Sequence, residues 1–518
     1  MKRTLLHILW LLFCTLSVAG CDLDMESLED SMDPEDGGPV AVVFHLDGDM
    51  PEFDDPGAMF GPPGPTQQRL LRLLKKASRD LLVQEIVIHV HALPTGWARA
   101  AEIADGISKA AKHKPVTCLL ESADNLTYWM AARACPRILA APAGGVDLIG
   151  LSMETVYLRE MLDALGIEAD MMSVGRYKNA AENLLRNDMS PDAREASQSL
   201  LDDLSFFFIA DIAKGRKLDK KKVKDLVDGG PYTAAAAKKK GLVDDISTLA
   251  ALMHALGAKY EGGVVTDYGR TPPKEMDLAE LLKLFSGDTS SPADDEPRIA
   301  IIPVIGTINS GIDQGGFPGS SEAVYDITLI ENLMAAGDDE AVKAVVLRID
   351  SPGGSALASD NIWEAVSALA RKKPVVASMG DVAASGGYYI ASAAEVIFAQ
   401  ETTITGSIGV VGGKIVIANG LSRIGIHRDG VETAERAGMM SPMRPFTDDE
   451  RKDVLASMQH IYQLFVRRVA QGRDLKKEDV LAVAEGRVWS GKQAKEHHLV
   501  DRFGGLSDAI DQATRWCS

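Results

Sequence analysis

From Val40 onward the chain alternates between two hydrophobic periods. Val40-Ala41-Val42-Val43-Phe44-His45-Leu46 is a near-continuous apolar run of strand length, the pattern of a strand covered on both faces. Arg69 to Arg79 then places apolar residues at helical spacing, Glu85 to Val90 returns to a strand, Ala98 to Ala111 to a helix and Val116 to Leu120 to a strand. Such alternation predicts an α/β fold with parallel strands. The same order returns in the second half. One constant offset lays Glu85-Ile86-Val87-Ile88-His89-Val90 on Ala344-Val345-Val346-Leu347-Arg348-Ile349, Gly150 on Gly409, and Leu165-Gly166-Ile167 on Ile424-Gly425-Ile426. Tyr128-Trp129 falls on Tyr388-Tyr389 after a one-residue gap, and Tyr232…Gly241-Leu242-Val243-Asp244 on Trp489…His498-Leu499-Val500-Asp501. The chain is therefore expected to be a tandem duplication of one α/β unit, at residues 39–264 and 298–518. The linker, 265–297, holds Thr271-Pro272-Pro273, a short amphipathic helix near Leu278 to Phe285 and a polar run from Ser286 to Glu296.

Composition narrows this picture at the N-terminus. Lys2-Arg3, an apolar stretch from Leu5 to Leu16 and Ser17-Val18-Ala19-Gly20 read as a secretory signal, residues 1–20. The stretch is short for a membrane span. Cys21 directly after Val-Ala-Gly resembles a bacterial lipoprotein signal box, which implies cleavage before Cys21 and lipid on that residue; an ordinary signal with a chance Cys is the alternative. Asp22 to Gly38 holds eight acidic residues and no basic one, so residues 21–38 read as a solvated tether. Gly57 to Pro65 is a Gly/Pro loop. The formal net charge of −19 over 518 residues argues against nucleic acid as a partner. Cys118, Cys135 and Cys517 have no metal-like spacing and are odd in number, so no disulfide is assumed, and neither a metal nor another cofactor is expected.

The candidate chemistry lies where the two copies differ. Asp381-Val382-Ala383-Ala384-Ser385-Gly386-Gly387-Tyr388 follows a β-rich run and precedes a small-residue helical pattern, so Ser385 is expected at a strand-to-helix turn. A Ser-capped glycine turn is the bland alternative. The earlier turn Asp350-Ser351-Pro352-Gly353-Gly354-Ser355 carries two bare glycines that can present N–H groups to a carbonyl oxygen. The first copy has lost these features. It reads His91-Ala92-Leu93-Pro94-Thr95-Gly96 at the glycine turn, and Asn125-Leu126-Thr127 opposite Ser385-Gly386-Gly387. It carries Lys178, whose counterpart in the second copy is Ala437. A lysine acts as a base near neutral pH only if its pKa falls from ~10.4 to about 7, a shift that desolvation in a closed groove can supply. A solvated surface lysine is the bland reading of Lys178 taken alone. Gly409 to Lys414 fails the spacing of a phosphate loop, Lys238-Lys239-Lys240 reads as a solvated helix end, and adjacent His497-His498 do not share a helical face.

Taken together, several motifs resemble the long, tandem-repeat form of the bacterial signal peptide peptidase A family, serine peptidases (family S49) of the ClpP/crotonase-like fold. They are Tyr177-Lys178 with Asn187-Asp188-Met189-Ser190-Pro191, Ser351-Pro352-Gly353-Gly354, Ala384-Ser385-Gly386-Gly387-Tyr388, Thr405-Gly406-Ser407-Ile408-Gly409 and the repeated Leu-Val-Asp endings. The resemblance implies Ser385 as nucleophile, Lys178 as general base and Ser407 as the serine that orients the lysine. It also implies Gly353 or Gly354 with Gly386 as the oxyanion hole. It implies a membrane-tethered endopeptidase of the cell envelope, facing the periplasm, that cleaves leftover signal peptides or other small extended peptides and assembles as a homo-tetramer. Two rivals stand beside it: a crotonase-type acyl-CoA enzyme using the same glycine N–H pair, and a catalytically silent tandem-domain scaffold lipoprotein.

Overall fold

In the computed structural model the described residues are 38–47, 50–53, 66–93, 95–269, 296–313 and 323–517. The leader, Cys21, nearly all of the tether, the Gly57–Pro65 loop and the linker helix lie outside them. The apolar runs become strands β1 (Val40–Leu46), β2 (Val83–Val90), β3 (Val116–Leu120) and β4 (Arg137–Ala140), all parallel, in the order Asp245–Ile246, β4, β3, β2, β1, Val264–Val265. Helices α1 (Gln67–Arg79), α2 (Trp97–Ala111) and α3 (Asn125–Ala134) connect them. Thr66 starts α1 by accepting the Arg69 N–H, and Leu70, Leu74 and Ala77 bury its apolar face. On one face of the sheet Ala41, Val43, Val87, Leu119 and Leu139 pack with Leu252 and Leu256. The alternation of side chains along each strand puts these residues together.

The described residues form two compact units, and their boundaries are not those of the repeats. One takes the residues up to Gly150 with Ile209–Ile301 and Asp339–Lys343; the other takes Leu151–Phe208, Ile302–Asp338 and Ala344–Ser518. The segment 151–208 of the first repeat thus folds within the second unit.

Each unit keeps the signature of the duplication in its own hydrogen bonds. In the first, the Tyr128 hydroxyl donates to Leu242 O (2.7 Å), while Asp244 accepts the Ile138 N–H (2.7 Å) and a pair of Arg216 N–H groups. In the second, Tyr388 donates to Leu499 O (3.1 Å), and Asp501 accepts the Ile397 N–H (2.8 Å) and Arg473. A buried tyrosine hydroxyl and a strand-end N–H both need a partner, which explains why these residues recur as a set.

The odd cysteine count resolves in the first unit. Cys118 of β3 and Cys135, just beyond α3, are joined as a disulfide, while the Cys517 thiol donates to Ala513 O. Lys238, Lys239 and Lys240 end the helix Ala234–Lys240 and are exposed, as their composition predicts. No helix among the described residues is long and apolar enough to cross a membrane.

The strands of the second unit include β5 (Glu168–Val174), β6 (Val342–Ser351, from Ala344 on), β7 (Val375–Ala384), β8 (Val396–Ala399), β9 (Ile404–Gly406), β10 (Val410–Val416) and β11 (Val488–Ser490). β6, β7, β8 and Arg502–Phe503 run side by side; β9 pairs with the far end of β7 and, antiparallel, with β11. The helix α4 (Pro191–Arg216) enters this unit at its N-terminal end, α5 (Ala356–Ala370) follows the glycine turn, and α6 (Gly386–Ala391) follows β7.

Candidate active site

Ser385 and Ser407 are brought together by strand register. β7 and β9 pair in parallel with Val382 on Ile404, Ala383 on Thr405 and Ala384 on Gly406, so both serines are the next residue after a paired strand end. The Ser385 N–H donates to Gly406 O at 2.9 Å. Both residues take a positive φ, 52° and 53°, and at Ser385 ψ is −116°. That conformation is costly for a residue with a Cβ, and strain of this kind gathers at functional sites. It ends the strand abruptly and turns the chain into α6.

Lys178 arrives through a second pairing. β5 and β10 form an antiparallel ribbon from Val174 on Val410 to Glu168 on Val416. Lys178 lies four residues beyond β5 and Ser407 three before β10, so the antiparallel direction carries them to the same end. A third segment clamps this end. Glu485 O accepts the Tyr177 N–H (2.7 Å), Gly486 N–H donates to Ile408 O (2.8 Å), and Arg487 O accepts the Ser407 N–H (2.7 Å). Gly486 sits so close that a Cβ there would come 2.5 Å from the Lys178 Cβ, which is why this residue is glycine, at φ 76°.

The Lys178 amine then donates to Ser385 Oγ at 3.1 Å, to Ser407 Oγ at 3.0 Å and to Ser407 O at 2.9 Å. Lys178 is only 7% exposed, and among the described residues no carboxylate pairs with it. Burial lowers its pKa to about 8, because the ammonium loses water and gains no opposite charge. The bland reading of Lys178 as a solvated lysine does not hold in this structure.

The three glycines divide by role. Gly353 gives its N–H to Ser351 Oγ (3.1 Å), while its Cα lies against the Ser385 turn: a Cβ there would come 2.6 Å from Gly386 N and 2.8 Å from the Ser385 Cβ. Among the described residues neither the Gly354 N–H nor the Gly386 N–H has a protein acceptor. At Gly386 a Cβ would come 2.5 Å from Ser359 Oγ. Bare N–H groups on the residue after Ser385 and on the residue after Gly353, which packs against Ser385, are of the kind that can hold a negative oxygen. A shift of register between Ile349 and Ser351 lets the Asp350 carboxylate accept the N–H groups of Asp381 (3.3 Å) and Val382 (3.0 Å) before β6 and β7 pair again at Ser351 and Ala383. Burial, and then the neighbouring Asp381 charge, push Asp350 up to about 6.

The first unit has no such arrangement at the matching turn. The Asn125 amide donates to Gly150 O (2.9 Å) and accepts the Ile149 N–H (3.0 Å), and the Thr127 N–H is capped by Asp124. The would-be phosphate loop is the ribbon strand β10, and the Lys414 amine donates to Met439 O and Ser441 O. Sequence reading missed the clamp Glu485-Gly486-Arg487. Its signal was available: aligning Trp489 with Tyr232 sets Gly486-Arg487-Val488 against Gly229-Gly230-Pro231, the same asymmetry between copies that singled out Lys178.

The model of Peptidase family S49 matches residues 108–261 and 367–516, one stretch per repeat, and that of Clp protease matches 320–404. The chain is 32% identical over 441 residues to the chloroplastic serine protease SPPA of Arabidopsis thaliana, covering 84% of this chain and 63% of the relative. It is 35% identical over 416 residues to Protease 4 of Haemophilus influenzae (77% and 64% covered) and 33% identical over 409 residues to Protease 4 of Salmonella typhi (77% and 63%). The chain thus spans just under two thirds of the length of these relatives. With both repeats matched and parallel α/β sheets in each unit, the fold is a tandem ClpP/crotonase-like duplication, and the chain belongs to peptidase family S49.

Proposed function

We propose that this chain is a serine endopeptidase working through a Ser385–Lys178 dyad on small extended peptides, leftover signal peptides among them. The observation that carries the reading is a buried amine without a carboxylate, 3.1 Å from a serine hydroxyl on a strained turn. In its neutral form Lys178 keeps two N–H bonds, for Ser407 Oγ and Ser407 O, and aims its lone pair at Ser385. Ser385 Oγ bonds to the peptide carbonyl carbon as its proton passes to Lys178; the C=O electron pair moves onto oxygen, held by the Gly354 and Gly386 N–H groups. The intermediate collapses, the C–N bond breaks, and the lysine ammonium gives its proton to the departing amine. Water then attacks the acyl ester, its proton goes to Lys178 and on to Ser385 Oγ, and the carboxylic acid leaves. The Ser407 hydroxyl bonds the lysine amine, and Ser407 is a positioning residue.

Acylation by a fluorophosphonate probe tests this. The reactive fraction is the neutral lysine, so the rate is expected to rise as pH increases and reach half its maximum near the Lys178 pKa of about 8. A crotonase-type enzyme would bind coenzyme A and would not label at Ser385, and a silent scaffold would do neither; either result removes the proposal.

Tethering to the membrane through a lipidated Cys21 is part of the same reading. The Cys118–Cys135 disulfide supports an oxidising, exported location. Exposed Val156, Met161, Leu165, Ile424 and Ile426 on the second unit support assembly into a homo-oligomer, proposed as a tetramer. In a bacterial expression host, Cys21→Ser is expected to abolish metabolic labelling by palmitate and to release the protein from the membrane fraction. Retention of the label in that variant would place the lipid elsewhere.

A further inference from the structure

The clamp that meets both Lys178 and Ser407 carries a side chain that nothing above assigns. Arg487 is largely buried, its side chain 18% exposed. Its guanidinium lies over the Tyr177 ring at 4.9 Å and the Trp489 ring at 4.6 Å, between two aromatic side chains. One N–H donates to Glu195 Oε1 at 2.9 Å, and the same oxygen accepts the Tyr177 hydroxyl at 3.0 Å. Tyr177 is the residue before Lys178. Trp489 pairs with Thr405 in the β9–β11 register, and its ring fills the space a Cβ on Gly406 would need, 2.8 Å away. The side chain of Arg487 therefore ties the lysine segment to the serine segment, while its own backbone carbonyl holds the Ser407 N–H.

We infer that Arg487 is a positioning residue of the Ser385–Lys178 site, holding the lysine amine in its dry contact with Ser385 and Ser407 through the Tyr177–Arg487–Trp489 stack and Glu195. The inference rests on the dyad proposed above. Its physics is placement and exclusion of water rather than charge: the guanidinium is neutralised by Glu195, and burial alone lowers the Lys178 pKa. The stack uses what arginine has and lysine lacks, a flat, weakly hydrated cation that lies on aromatic faces and still donates in its plane. The charged and titratable groups facing the clamp are Glu195 and Asp192 of α4, Arg176 and Tyr177 beside the lysine, Glu485 and Tyr462, and His497, whose ring lies 4.4 Å from that of Trp489 and whose pKa is lowered by burial and by the Arg487 charge. Glu485 accepts the Arg176 N–H (2.9 Å) and the Tyr462 hydroxyl (3.3 Å).

Loss of the stack lets the clamp move and water reach the amine. The lysine then titrates closer to its ordinary value, and more alkali is needed to make it a base. The test is the pH profile of Ser385 acylation by a fluorophosphonate, per folded site, in Arg487→Ala, Arg487→Lys and Glu195→Gln of the full chain. Arg487→Ala is expected to slow acylation at pH 8 by about tenfold and to move the midpoint up by about one pH unit. Arg487→Lys keeps the charge but not the flat stack and is expected to stay impaired. Glu195→Gln, at a half-exposed position that tolerates the change, is expected to shift the midpoint the same way by less. A purely structural role would lower the yield of folded protein and leave the midpoint of the folded fraction alone. An unshifted midpoint in both Arg487→Ala and Glu195→Gln overturns the inference; if Arg487→Ala does not fold, the Glu195→Gln midpoint decides. Acylation that persists in a Lys178 variant would instead sink the dyad itself.

Discussion

Ser385→Ala is expected to lower peptide turnover by about 10⁵–10⁶-fold, to the level left by binding and the glycine N–H groups alone. The size of the loss follows from the geometry. Among the described residues no other hydroxyl combines a lysine contact with the glycine turn: Ser407 shares the lysine at 3.0 Å, but the Cα of Gly353 lies against Ser385. Alanine removes the bond-forming atom and leaves a turn that now strains a methyl group instead of a hydroxymethyl. The fold is expected to survive, since the Ser385 N–H keeps Gly406 O and the hydroxyl makes no capping bond to α6. Peptide hydrolysis measured beside an unchanged melting transition checks this. Activity within tenfold of the parent would mean that the nucleophile is another residue.

Lys178→Met is expected to match that loss in activity and to make the protein more stable. Without the amine, Ser385 has no base in contact, and a serine hydroxyl attacks poorly unaided. The gain in stability comes from linkage. The folded-state pKa of about 8 lies below the ~10.4 of an exposed lysine, so between these values the unfolded chain binds more protons than the folded one. Stability of the parent therefore rises with pH through that window, and below it the full cost of the buried ammonium, on the order of 3 kcal/mol, is present. Methionine of similar length avoids that cost and gives up three hydrogen bonds of roughly 1 kcal/mol each, partly offset by its apolar contacts. A net gain of about 1–2 kcal/mol at pH 7 follows, shrinking as the pH approaches 10. Melting curves of both proteins at pH 7 and pH 10 measure it. A variant that is less stable at pH 7 would mean that the hydrogen bonds outweigh desolvation.

The same balance explains why the site is concentrated in one unit. The ribbon β5–β10 and the clamp at residues 485–487 bury an amine that gains no opposite charge there, a cost that surrounding structure must overcome. The first copy, which supplies the lysine, makes ordinary capping contacts at its equivalent of the serine turn: Asn125 bonds Gly150 O, and Asp124 caps α3.

Much of this molecule was legible in one dimension. Hydrophobic period determined the strands, with β1 and β3 found at their predicted residues and α1 and α2 within two. Each strand buries its own side chains against near neighbours, so its period is written locally. Comparison of the two copies marked Lys178, Ser385 and the glycine turns, because duplicated segments that diverge record which positions changed task. Three things belonged to tertiary structure alone. The ribbon that takes residues 151–208 into the second unit is a pairing between strands over two hundred residues apart, and period says nothing about partners. Which glycine keeps a bare N–H depended on Ser351 Oγ reaching Gly353 and not Gly354. The burial of Lys178 depended on Gly486, which packs against it from more than three hundred residues away. A pKa is a property of surroundings, and surroundings form only when the chain has closed on itself.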